Sequence, residues 1–70
     1  MIIPDVSGRH VGDIVLVPTE LFSDHPICVG KVVSALITSF EVVDGDEYAF
    51  VKDIHEMWDY TVPIWVASVT

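Results

Sequence analysis

Positive charge is what this chain has least of. Arg9, Lys31 and Lys52 stand against eleven carboxylates in 70 residues, a formal net charge of −8. Such a chain repels nucleic acid and anionic membrane faces and attracts basic partners. Cysteine is nearly absent as well. Cys28 is the only one, so no disulfide can form within the chain. Flanked by Ile27 and Val29, it reads as a small buried hydrophobe in a reducing compartment. Long apolar runs are missing: the longest apolar-rich stretch, Ile27 to Ile37, is interrupted by Gly30, Lys31 and Ser34 and is too short to span a bilayer. The opening Met1-Ile2-Ile3-Pro4-Asp5 lacks the basic region and apolar core of a secretion signal. These shortages predict a cytoplasmic protein with no membrane association and no direct nucleic-acid binding. No repeat, linker or glycine-rich phosphate loop is visible, and residues 1–70 read as a single domain.

What is present is apolar. The chain is 51% hydrophobic, which separates it from acidic chains that stay disordered because they cannot bury enough surface. Strand signals dominate. Gly12-Asp13 opens the run Ile14-Val15-Leu16-Val17, which Pro18 stops. A polar loop over 19–26, interrupted by Leu21 and Phe22, leads to a longer expected strand over 27–37, with a bulge or bend at Gly30. Phe40-Glu41-Val42-Val43 and Glu47-Tyr48-Ala49-Phe50-Val51 flank Asp44-Gly45-Asp46, a hairpin with a three-residue loop. Asp53-Ile54-His55-Glu56-Met57-Trp58 carries a capping residue, an acid three positions on, and apolar residues at helical spacing, which predicts a short helical turn. Pro63 introduces a closing strand over 64–69.

The expected fold class is therefore all-β: a small five-stranded barrel with one short helical turn, closed so that no strand edge is left unpaired. Gly12-Asp13-Ile14-Val15-Leu16-Val17, a loop, and Val29-Gly30-Lys31-Val32-Val33 resemble the opening of SH3-like barrels, the KOW-type subset in particular. The resemblance implies that fold. It does not extend to function, because the tyrosine signature by which SH3 domains bind peptides is missing. So are the basic residues by which KOW modules contact RNA.

Charge is unevenly placed. Seven of the eleven acids lie between Glu41 and Asp59, with Lys52 as the one base among them. Asp44, Asp46, Glu47, Asp53, Glu56 and Asp59 are the candidate acidic face for docking a basic protein surface, including one that handles nucleic acid. The plainer alternative is a solvated hairpin tip and an exposed helix face. Phe22, Trp58 and Tyr60 are the candidate aromatic contacts, or else a second small core closing the barrel end. Phe40, Phe50 and Trp65 are expected in the main core.

Metal and catalytic chemistry find little support. Asp44-Gly45-Asp46-Glu47 offers too few oxygens for a calcium loop. His25 and Cys28 have a zinc-like spacing, but only His10 and His55 remain as further ligands of that kind. The same pair lacks an orienting third group for nucleophilic catalysis. Glu56 and Asp59 at i,i+3 form a carboxylate pair whose exposed members make poor acids at neutral pH. No cofactor is expected. The functional expectation is a non-catalytic acidic interaction module. In its most specific form it is an inhibitor docked on a basic, nucleic-acid-handling host protein, because size and charge are similar to those of small acidic phage and mobile-element proteins. The alternative is a structural module that self-associates, or packs into a larger complex, through aromatic surface.

Overall fold

β-branched and aromatic residues concentrate in four segments, and each becomes a strand. The computed structural model describes residues 6–23, 25–26 and 30–69. They contain β1 (Ile14–Pro18), a 3₁₀ turn (Thr19–Leu21), β2 (Val32–Val43), β3 (Asp46–Asp53) and β4 (Thr61–Ser68). The strands pair antiparallel in chain order, β1-β2-β3-β4, and the sheet curls into a half-barrel. This all-β architecture is compatible with a small barrel.

The described residues form four strands where five were expected. The strand expected over 27–37 and the first arm of the hairpin are one twelve-residue strand, β2. Its register against β3 shifts between Ile37 and Ser39. A bulge of this kind bends a strand without ending it. There the Thr38 hydroxyl donates to the Phe50 carbonyl at 3.1 Å, satisfying an acceptor at the irregular step. Gly30 lies in a turn before the strand (φ +82°) and makes no bulge within it. Residues 27–29, and with them the reading of Cys28 as buried, lie outside the described residues.

The hairpin loop is also one residue shorter than expected. Val43 pairs with Asp46, leaving Asp44 and Gly45 as the whole loop, both at positive φ (52° and 83°). Two consecutive left-handed residues match the strand twist, and Asp-Gly is a preferred pair for that geometry.

The helical turn expected over 53–58 does not form. Asp53 still belongs to β3 and is buried, with 1% of its surface exposed. Its carboxylate oxygens accept the His55 and Met57 backbone N–H groups at 3.0 and 3.1 Å. Glu56 then takes a left-handed φ of 55°, which no helix can continue. The capping chemistry read from the sequence is real, but it organises a loop.

The core occupies the concave face. Val15, Val17, Ala35, Ile37, Ala49, Val51, Val62 and Ile64 alternate inward along the four strands and are buried. Val6 covers one end of this face and Phe22 the other. Thr19 locks the intervening loop, its backbone N–H and hydroxyl both donating to the Lys31 carbonyl at 3.0 and 3.2 Å. Glu20 adds a second tie by accepting the Gly30 N–H at 3.2 Å.

Candidate interaction surface

The six acids read as one face lie in two groups. Asp44, Asp46 and Glu47 sit at the hairpin end of β3, and Asp53, Glu56 and Asp59 at or beyond its other end. Eight residues of strand separate these ends by roughly 25 Å. The side chains also diverge. Asp46 points to the convex face, whereas Glu47 points to the concave side and lines an open groove with Arg9, His10, Phe40 and Val66. Asp53 is buried and committed to the loop it organises. Glu56 and Asp59 are exposed, and Glu56 lies 3.9 Å from Lys52. No single acidic face results, because a strand separates residues by distance and alternates them by side.

The aromatic trio does come together. Phe22 and Trp58 stack with ring centroids 5.3 Å apart and planes 16° from parallel. Tyr60 tilts against Phe22 at 6.4 Å, and its hydroxyl donates to the Phe22 carbonyl. Phe22 is buried and Trp58 packs on the core, so the trio closes the end of the half-barrel. Tyr60 alone keeps about half its surface in solvent.

The larger apolar surface lies on the convex face. Every strand that sends one set of side chains into the core sends the alternate set here. Ile14 pairs with Leu36, Phe50 with Pro63, and Tyr48 with Trp65, giving three apolar cross-strand pairs. Leu16 extends the patch along β1. Ile14, Leu16 and Trp65 are 49%, 64% and 54% exposed. Phe50 and Trp65 thus leave the core expected for them, and Phe40 alone of the three packs against it. The reason is parity: Phe50 lies between inward Ala49 and Val51, and Trp65 follows inward Ile64.

The largest apolar patch on a monomeric protein is often its contact site. The signal for this one was present in Ile14-Val15-Leu16-Val17. An unbroken apolar run on a short strand belongs to a strand covered on both faces, unlike the alternation of a half-solvated one. Among the described residues only one of those faces is covered from within the chain.

Around the patch stand Glu41, opposite Tyr48, Asp46 one step further toward the hairpin, and the Lys52–Glu56 pair at the other end. Lys52 is the only base on this face among the described residues. No group of three His, Cys, Asp or Glu side chains among them is placed to hold a metal. None of their helices is long and apolar enough to cross a membrane. Compared with protein-family models, curated proteins and solved structures, the chain shows no significant match to any, so the likeness to SH3-like and KOW barrels rests on its opening residues alone.

Proposed function

We propose that this chain is a non-catalytic protein-interaction module whose contact surface is the convex face of its sheet. The observation that carries the reading is the set of half-exposed apolar side chains, Ile14, Leu16 and Trp65, standing beside Leu36, Phe50 and Pro63 on the face turned away from the core. Burying apolar area is the main driving force of association, and aromatic residues at the centre of such patches carry a disproportionate share of it. The acids act at longer range. A net charge of −8 speeds encounter with a basic protein and disfavours nucleic acid.

The inhibitor form of this reading, in which the chain occupies the nucleic-acid site of a host protein, draws on charge alone. Imitation of a phosphate backbone needs anions in a row, and the acids stand at two ends of β3. Catalysis has the weakest support, since Glu56 and Asp59 lie on an open loop and share no helix face.

The test is site-specific photocrosslinking in cells that express the chain, with the photoreactive residue at position 16, at position 65, or at exposed Val11 off the sheet face. Discrete adducts from 16 and 65 but not from 11 are expected. Equal adducts from all three positions, or adducts from 11 alone, contradict the reading.

A further inference from the structure

We infer that the convex face takes a protein surface with an apolar centre and a lysine- or arginine-rich rim, and does not take a second copy of this chain. The inference rests on the reading that this face is the contact surface, and adds the chemistry of the occupant. Three observations carry it.

Charge comes first. Glu41, Asp46 and Glu56 border the patch, and the one base there, Lys52, already faces Glu56 at 3.9 Å. A second copy apposed on this face brings the same acids and no free cation, and adds eight net negative charges to eight. Like charges brought together at an interface oppose it, whereas a basic rim pairs with Glu41 and Asp46.

Area comes second. Strands about 4.8 Å apart and eight residues at about 3.3 Å rise give a sheet face of roughly 400 to 500 Å². A stable interface buries about 800 Å² on each partner, and obligate dimers bury more. The outline of the face is smaller than that, so a stable contact reaches past the apolar centre onto the rim where Glu41 and Asp46 stand.

The edges come third. β1 and β4 are the two edge strands, and each contains a proline, Pro18 at the end of β1 and Pro63 within β4. Proline cannot donate to a ladder and protects edges against added strands. Pairing through the sheet edge, the other route by which two copies of a small sheet join, is therefore disfavoured, and the face is left as the way in.

The experiment uses the full chain and three synthetic amphipathic peptides of about 18 residues, long enough for a helix of several turns. One has a leucine stripe flanked by lysines. In the second, glutamates replace the lysines, and in the third, serines replace the leucines. Binding is read by fluorescence anisotropy of the labelled peptide at low and high salt, and sedimentation equilibrium gives the oligomeric state of the free chain. The leucine–lysine peptide is expected to bind more tightly than both others, and added salt is expected to weaken it.

Two variants with the same charge change locate the site. Leu16→Glu adds an anion on the face and is expected to weaken binding by about tenfold, despite the added attraction for lysine. Val11→Glu adds the same anion elsewhere and is expected to stay within about twofold. Equal behaviour of the two variants, or equal binding of the serine–lysine peptide, shows that charge alone acts and overturns the inference. A dimer of the free chain that Leu16→Glu dissolves also overturns it, while leaving the convex face as the contact surface. A monomer that binds none of the peptides overturns the inference, and the crosslinking experiment then decides separately whether the face is a contact surface.

Discussion

Along β1, Val15 and Val17 turn into the concave face and are buried, while Ile14 and Leu16, their immediate neighbours, turn outward and stay 49% and 64% exposed. The same division runs through β2, where Ile37 is buried and Leu36 is partly exposed, and through β4, where Ile64 is buried and Trp65 exposed. The concave set is apolar almost throughout, whereas the convex set mixes its apolar residues with Ser34, Glu41, Asp46, Lys52 and Thr61. They also differ in cover: Val6 and the Phe22–Trp58 stack pack on the concave core, whereas Ile14, Leu16 and Trp65 on the convex face stay 49%, 64% and 54% exposed. Hydrophobicity alone therefore does not say which residues hold a fold together. Residues that the chain covers itself serve stability, and residues of the same kind left open serve association.

The contrast can be broken or sharpened by substitution, beginning with the largest effect. Ile37→Ala on the concave face is expected to cost about 2–5 kcal/mol, because the site is fully buried and a cavity remains. That is a large share of the stability of a domain this small, and urea unfolding will show it as a fall in midpoint. Leu16→Ala on the convex face should change stability by no more than about 0.5 kcal/mol in the same measurement. If the two variants unfold alike, the faces are not distinct.

Asp53→Ala comes next, with an expected loss of about 1–3 kcal/mol, since the His55 and Met57 N–H groups lose their buried acceptor. Gly45→Ala forces a side chain into the left-handed φ of 83° and should cost about 1–2 kcal/mol by thermal or urea unfolding. Lys52→Ala stands with Leu16→Ala at the small end. Its ion pair with Glu56 is solvent-exposed, and the stability change should stay under about 0.5 kcal/mol.

Much of the fold was legible in the chain because local chemistry decided it. Ile14–Pro18 forms β1, with Pro18 as its last residue, and Asp-Gly makes the hairpin turn, while the last strand begins at Thr61 and contains Pro63, which the sequence places ahead of it. The count of strands was not legible. A bulge at Ile37/Ser39 leaves no distinctive residue pattern, and Thr38-Ser39 read as a break. The helical pattern at 53–58 misled because a capping aspartate serves an irregular loop as readily as a helix.

The candidate site divided in the same way. Phe22, Trp58 and Tyr60 were found together, because a loop and a turn that meet at one end need something to fill the gap. The acids were not together, because closeness along a strand means alternation and then distance. The convex patch is not legible, since Phe50 and Trp65 have the character of core residues and the sequence cannot say which apolar side of a strand the chain will cover.

The most direct test of the division between faces is the map of backbone amide shifts in the nuclear magnetic resonance spectrum of the chain as the leucine–lysine peptide is added. If the account holds, the shifts concentrate at Ile14, Leu16, Leu36, Phe50 and Trp65. Shifts centred on Asp44–Glu47 or on Glu56–Asp59 would contradict it, by placing the contact on the acids at the two ends of β3.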